Sequence, residues 1–152
     1  MIIVSPCLLG KNCKYNGKNN FNSKIVDFLK DKNVIELCPE TLSGLPVPRD
    51  PIELKNGIPF DKNGNCFETE LKHGVERALE KLDSKIDSTG EKVEFAILQA
   101  RSPSCGVGKI YDGTFSKNLI EGNGLLTQKL FARTIKCYAS DEFEKMLDAG
   151  LF

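Results

Sequence analysis

The strongest constraint on the fold is an alternation of short apolar runs with segments of helical periodicity. Four β-branched or apolar runs predict buried strands at residues 2–4, 34–37, 95–98 and 134–139. Apolar residues at helical spacing predict helices at about 22–32, 69–86, 124–133 and 140–147. Strands that alternate with helices form a mostly parallel sheet covered on both faces. We therefore predict an α/β fold with a Rossmann-like sheet.

Length and charge restrict the class of protein further. The chain has 152 residues, 40% of them hydrophobic and 28% charged, which is typical of one globular domain spanning residues 1–152. Basic and acidic residues balance at 21 each, so the overall charge disfavours a nucleic-acid partner. The start of the chain resembles no signal peptide, and no apolar run has the length of a membrane span. These features predict a cytoplasmic protein with no membrane partner and leave its oligomeric state open.

Two segments are rich in helix and strand breakers. Residues 41–65 contain four prolines and several glycines, and residues 108–124 are rich in glycine. We expect both segments to be irregular excursions over the surface. Long ordered loops of this kind often carry function.

Three of the six cysteines stand just after the ends of predicted strands: Cys7, Cys38 and Cys105. Since the carboxyl ends of parallel strands meet at one edge, we expect these thiols to converge. A reducing compartment makes structural disulfides a poor explanation for six cysteines. Core packing does not require a cysteine at each strand end, whereas a metal site does.

The other three cysteines have different settings. Cys13 lies in the same loop as Cys7 and is a candidate fourth ligand. Cys66 follows a turn ahead of the long helix, and Cys137 lies inside the fourth predicted strand. We interpret Cys66 and Cys137 as structural, because neither stands at the carboxyl end of a strand.

All-thiolate ligation is typical of zinc or of an iron–sulfur cluster. Structural zinc sites usually show close cysteine pairs of the CxxC kind, and this chain has none. Scattered single thiols fit a cluster better. Three protein ligands to a four-iron cluster would leave one iron open to act as a Lewis acid, whereas four would indicate electron transfer.

Polar residues near these cysteines suit catalysis. Glu40, two residues after Cys38, is a candidate general acid or base, and its alternative role is to accept backbone N–H bonds. Ser102 and Ser104 either position a water or substrate or only brace the turn. Cationic and aromatic side chains at the same edge suit a planar heterocycle or an anion: Lys14, Tyr15, Arg49, Arg101 and Lys109.

Two common functional signals are missing from the sequence. The one histidine, His73, lies off the apolar stripe of the long predicted helix and is expected at the surface. This position disfavours a hydrolase built on a Ser-His or Cys-His pair. No P-loop or GxGxxG motif follows a strand, so nucleotide binding of those kinds has no support.

Three motifs, SPCLLGKNCKYNG, CPETLSGLPVPRDPIEL and ILQARSPSCGVGKIYDGTFS, give the chain a family resemblance over about residues 2–135. In this order and spacing they resemble the thiouracil desulfidase family, formerly a bacterial and archaeal domain of unknown function. One departure is the segment CKYNG, which relatives usually carry as CRYDG, so no role for an arginine or aspartate there is carried over.

The resemblance implies a [4Fe-4S] cluster held by Cys7, Cys38 and Cys105. It also implies a non-redox desulfidation, in which the open iron captures the sulfur of a thiolated nucleobase such as thiouracil and sulfide is released. Glu40 would then move protons, and Ser102 or Ser104 would assist the substrate or water. The implied partners are a small thiolated heterocycle and the iron–sulfur assembly machinery.

The residues leave other functions open. The same open iron would suit sulfur transfer to tRNA or to a small acceptor, although the neutral net charge gives tRNA binding little support. A non-catalytic iron–sulfur redox sensor or carrier is a further alternative, favoured if Cys13 is a fourth ligand. A structural zinc module is the last alternative.

Overall fold

The computed structural model describes residues 1–152, and a four-stranded parallel sheet lies at its centre. In chain order the elements are β1 (Ile2–Val4), α1 (Ser23–Leu29), β2 (Val34–Glu36), α2 (Pro39–Leu42), β3 (Glu53–Lys55), β4 (Ile58–Phe60), α3 (Glu68–Thr89), β5 (Phe95–Leu98), β6 (Lys109–Tyr111), β7 (Leu119–Glu121), α4 (Leu125–Ala132), β8 (Cys137–Ala139) and α5 (Ser140–Asp148). The central sheet has the strand order β2-β1-β5-β8.

Every pair of neighbouring strands in this sheet is parallel. Ile3 of β1 lies opposite Ile35 of β2 on one side and Ala96 of β5 on the other. Ile97 of β5 lies opposite Tyr138 of β8. All four strands therefore end at the same edge of the sheet, and the predicted α/β fold is confirmed.

Helices cover both faces of the sheet, because successive side chains of each strand point to opposite sides. Ile3 and Leu98 pack with α3 and α4 in one core, and Ile2 and Ile97 pack with α1 and α5 in the other. The helix residues in these cores include Val75, Ala78, Leu82, Leu126 and Leu130 on the first face and Ile25, Leu29 and Phe143 on the second. None of the helices is both long and apolar enough to cross a bilayer.

The two segments predicted to be irregular contain regular structure, so that prediction was wrong in part. Residues 41–65 hold the end of α2 and the antiparallel hairpin β3–β4, whose turn at Asn56 and Gly57 has positive φ at both residues. Residues 108–124 hold the hairpin β6–β7. These strands have only three residues each, and β4 contains Pro59, so they give little periodic signal. The Asn-Gly pair is nevertheless a strong sequence signal for a hairpin turn.

The fourth strand begins at Cys137, three residues later than predicted. The N–H groups of Thr134 and Ile135 donate to the carbonyls of Phe131 and Leu130, which closes the end of α4. Thr134 has a φ of 61°, a left-handed conformation that a strand does not allow. The local turn after α4 therefore competes with strand pairing at these residues.

A close backbone contact seats α2 against α3. A Cβ at Gly74 of α3 would lie 2.0 Å from the carbonyl oxygen of Pro39 in α2. Only glycine allows the two helices to approach this closely. The contact fixes the position of α2, which carries Glu40 and directly follows Cys38.

We expect Gly74→Ala to destabilise the protein by about 1–3 kcal/mol, because the new methyl group forces α2 away from α3. This is the opposite of the intrinsic preference, since alanine favours a helix over glycine by about 1 kcal/mol. Urea unfolding followed by circular dichroism measures the change. Ser84→Ala, at an exposed position of the same helix, is the control and should change stability by less than about 0.5 kcal/mol. A Gly74→Ala protein as stable as the wild type would contradict the tight contact.

Candidate active site

A cavity of about 470 Å³ lies at the carboxyl edge of the central sheet. Its walls come from the segments after β1, β2 and β5 and from both hairpin excursions. The residues that line it include Ser5, Cys7, Cys13, Lys14, Tyr15, Asn20, Cys38, Glu40, Arg49, Glu53, Gln99, Arg101, Ser102, Cys105, Tyr111, Phe115 and Lys117. A ligand site at this edge is typical of parallel α/β sheets.

Cys7, Cys38 and Cys105 all line this cavity. Cys7 lies in a 3-10 turn after β1, Cys38 is the N-cap residue of α2 after β2, and Cys105 follows β5. Cys7 and Cys105 are buried, and Cys38 is partly exposed. The structure thus brings together three thiols that are far apart in sequence.

Cys13 also lines the cavity, and its thiol interacts with those of Cys7 and Cys38. The hydrogen bond from Cys13, with help from Asn20, lowers the pKa of Cys7 despite its burial. For Cys13 itself, the contact with Cys38 lowers the pKa, but the contact with Cys7 and burial outweigh it and raise it to about 11. Cys13 therefore belongs to the same group of neighbouring thiols as Cys7 and Cys38.

The protein surroundings oppose ionisation of the other two thiols. The hydrogen bond with Cys13 and then burial raise the pKa of Cys38. Burial, followed by the charge of Cys38, raises the pKa of Cys105. Cysteine binds a metal as the thiolate. A positively charged metal centre in the cavity would therefore stabilise the thiolate forms of Cys38 and Cys105.

The arrangement of donors indicates the kind of group that fits. No three His, Cys, Asp or Glu side chains converge closely enough to hold a single metal ion. The thiols instead stand around a cavity, as a polynuclear centre with several metal atoms requires. An all-sulfur donor set of this kind fits an iron–sulfur cluster.

The loop that carries Cys105 is fixed by backbone hydrogen bonds. The Ser102 hydroxyl oxygen accepts the N–H groups of Ser104 and Cys105, each at 3.1 Å. From α4, Leu126 N–H donates to the Ser104 carbonyl at 2.8 Å, and the Thr127 hydroxyl donates to the Cys105 carbonyl at 3.0 Å. The start of α4 therefore holds the Cys105 backbone in place.

The two candidate serines have different surroundings. Ser102 lines the cavity, and because its oxygen accepts two N–H bonds, its own proton remains to be donated. Ser104 is 1% exposed, does not line the cavity, and its hydroxyl has no hydrogen-bond partner. Of the two, Ser102 alone reaches the cavity.

Glu40 lines the cavity and forms an ion pair with Arg49, with 3.3 Å between Oε1 and Nη2. The Arg49 guanidinium also donates to the carbonyls of Cys13 and Pro46 at 3.3 Å. The Arg49 backbone N–H donates to the Tyr15 carbonyl at 2.6 Å. Arg49 thus ties the first loop, α2 and the excursion together and positions the Glu40 carboxylate.

Of the remaining predicted binding residues, three line the cavity and one does not. Lys14, Tyr15 and Arg101 line the cavity, and Arg101 is also paired with Asp141 at 3.1 Å. Lys109 begins β6, is exposed and does not line the cavity. Sequence reasoning did not name several lining residues: Asn20, Glu53, Gln99, Tyr111, Phe115 and Lys117.

Three of the residues set apart from the site do lie outside the cavity lining: Cys66, His73 and Cys137. Cys137 is buried at the start of β8, as a structural residue is, and His73 is exposed. Cys66 is exposed, and it forms an isolated bridge with Phe60.

The family model described as 2-thiouracil desulfurase matches residues 2–142. The chain belongs to the 2-thiouracil desulfurase family. This confirms the resemblance of the three motifs and makes the chain an enzyme of that type.

Two known proteins are similar to this chain along nearly their whole lengths. The uncharacterized protein YbbK of Bacillus subtilis (strain 168) is 33% identical over an aligned length of 151 residues, and the alignment covers 97% of this chain and 100% of YbbK. The solved structure of the [4Fe-4S]-dependent thiouracil desulfidase TudS is also 33% identical and superposes with a TM-score of 0.81. That match covers 99% of this chain and 98% of the TudS chain.

In this 2-thiouracil desulfurase family member, we expect Gly124→Ala to displace Cys105. A Cβ at Gly124 would lie 2.4 Å from the Ser104 carbonyl carbon and 2.5 Å from the Cys105 nitrogen. The resulting overpacking should cost about 1–3 kcal/mol of stability. It should also lower the iron and sulfide bound per chain after anaerobic purification. Gln128→Ala, at an exposed position of α4, is the control, and equal metal content in both variants would refute the expectation.

Proposed function

We propose that the chain catalyses the [4Fe-4S]-dependent, non-redox desulfidation of a thiolated nucleobase such as thiouracil. The observation that carries the proposal is the convergence of three strand-end thiols in one cavity with the Glu40 carboxylate. Family membership and the similarity to TudS support the same reaction and the same cofactor.

Cys7, Cys38 and Cys105 would hold the cluster, because each comes from a different strand end and all three face the cavity. When bound with three protein ligands, such a cluster supplies an iron that acts as a Lewis acid toward a thiocarbonyl sulfur. Asn20 donates a hydrogen bond to the Cys7 sulfur at 3.6 Å, an interaction that favours a thiolate ligand.

Desulfidation exchanges sulfur for oxygen without a change in oxidation state: a C=S group and water give a C=O group and hydrogen sulfide. Over the whole exchange the attacking water must lose two protons, and the departing sulfur must gain two. Two carboxylates line the cavity, Glu40 and Glu53. Glu53 accepts the backbone N–H groups of Gly113 and Phe115, whereas Glu40 is held by Arg49 two residues after Cys38, and we assign both proton transfers to Glu40. Arg49 positions this carboxylate through their ion pair.

The other lining residues suit a flat heterocycle. Ser102 donates its free proton to the substrate or to the water. Tyr15, Tyr111 and Phe115 supply aromatic surface for the ring, and Lys14 with Arg101 makes the wall cationic. Maturation by the iron–sulfur assembly machinery and a cytoplasmic location accompany this proposal as predictions.

The direct test is sulfide release by anaerobically reconstituted protein. We expect sulfide and the corresponding oxo base in equal amounts from 2- or 4-thiouracil, with no added oxidant or reductant. Cys7→Ala, Cys38→Ala and Cys105→Ala should each lose the cluster's visible absorption together with the activity. Cluster-loaded protein that leaves a panel of thiolated bases intact would refute the proposal.

Cys13→Ala is the matched control among the cavity thiols. Under three-cysteine ligation this variant keeps iron, sulfide and activity. If Cys13→Ala loses the cluster as fully as Cys7→Ala, four thiolates hold it and a mechanism that uses an open iron is wrong.

We expect Glu40→Gln to lower kcat roughly 100- to 10,000-fold, the usual contribution of a positioned acid or base. The visible spectrum and iron content should stay at wild-type levels, because Glu40 is not a cluster ligand in this proposal. Glu36→Gln, which removes a carboxylate outside the cavity lining, is the control and should keep full activity. Normal turnover by Glu40→Gln would assign the proton transfers to another group.

A further inference from the structure

We propose that Thr41 and Asn20 raise the reduction potential of the cluster and make its open iron a stronger Lewis acid, because each donates a hydrogen bond to a ligand sulfur. This inference rests on the proposed function, since it takes Cys7 and Cys38 as cluster ligands. Thr41 and Asn20 supply no ligand themselves and act through these two cysteines.

The hydrogen bond to Cys38 comes from the helix that follows this residue. The Thr41 hydroxyl donates to the Cys38 sulfur at 3.1 Å. A cysteine that ligates a metal has no proton, so its sulfur can only accept and the hydroxyl must be the donor. Cys38 lines the cavity, whereas Thr41 does not. Thr41 therefore contacts the ligand from outside the cavity in which the substrate binds.

The packing of α2 fixes the position of this hydroxyl. The helix is seated against Gly74 of α3. From the same helix α3, the Arg77 guanidinium donates to the Leu42 carbonyl at 2.9 Å. The Leu42 N–H donates to the Cys38 carbonyl at 3.0 Å. Thr41 is thus held beside the Cys38 sulfur by contacts that do not involve the substrate.

The hydrogen bond to Cys7 comes from the first loop. The side-chain nitrogen of Asn20 donates to the Cys7 sulfur at 3.6 Å, and its backbone N–H donates to the Cys7 carbonyl at 2.9 Å. The opposite amide orientation would turn the carbonyl oxygen toward a thiolate, so the network assigns the nitrogen to this position. Cys7 and Cys38 thus each receive a hydrogen bond from a neutral side chain, which adds no charge to the site.

Hydrogen bonds of this kind change how much negative charge a cluster holds. The positive end of the donor lies at the thiolate and stabilises negative charge there. Reduction adds negative charge, so each donor favours the reduced form and raises the potential. The same withdrawal of electron density makes an open iron a better acceptor for a thiocarbonyl sulfur. In a non-redox reaction the potential therefore serves as a measure of this electron density.

The test is the reduction potential of the cluster-loaded protein, measured by anaerobic voltammetry. Thr41→Val keeps the shape of the side chain and removes the hydroxyl. It should lower the equilibrium constant for one-electron reduction about 10-fold, a shift of about 59 mV to lower potential. Thr41→Ser keeps the hydroxyl and should retain the wild-type potential. Thr69→Val, the same substitution at an exposed position of α3, is the control and should leave the potential unchanged.

Asn20→Ala is a second, independent variant. It should shift the potential in the same direction by a smaller factor, because the contact with Cys7 is longer. Visible spectra with iron and sulfide counts report cluster loading in every variant.

Two outcomes overturn the inference: a wild-type potential in Thr41→Val, or an equal shift in Thr41→Val and Thr41→Ser. Turnover separates this result from the proposed function. A shifted potential in Thr41→Val supports the role of Thr41 even where no thiolated base releases sulfide. An unchanged potential in a Thr41→Val protein that still releases sulfide from 2-thiouracil refutes that role while the desulfidase function stands.

Discussion

Parallel pairing of β1 with β2 and β5 is the constraint on which the site depends. Each of these strands is followed within a few residues by a cavity cysteine, and the shared direction of the strands puts their ends at one edge. The pairing is stable because both faces are covered, with Ile3 in one core and Ile2 in the other. The chemistry of the edge is thus supported by apolar packing on both sides of the sheet.

The sequence was sufficient for the central sheet and for the strand-end cysteines. β1 and β5 begin and end where predicted, and β2 ends one residue earlier, since apolar runs this short and β-branched favour buried strands. β8 begins later than predicted because of the turn at Thr134. The left-handed backbone of this residue accompanies local hydrogen bonds after α4, which a pattern of hydrophobic residues does not reveal.

The cavity wall opposite the sheet could not be read from the sequence in the same way. Glu53 of β3 accepts the N–H groups of Gly113 and Phe115 at 3.1 Å each, so one hairpin holds the loop of the other beside the cavity. This contact joins residues about sixty positions apart and leaves no periodic signal. Phe115 and Lys117 lie in that loop, and their position in the cavity wall depends on this tertiary contact.

The distribution of Cys7, Cys38 and Cys105 has a consequence for the order of maturation. No short stretch of the chain contains all three thiols, in contrast to metal sites whose ligands are grouped within one loop. An emerging chain therefore lacks the complete set until β5 has been added beside β1 and the following loop has been synthesised. Under the proposed three-cysteine ligation, cluster insertion follows the pairing of β1, β2 and β5, and the cofactor binds a site that the fold has already assembled.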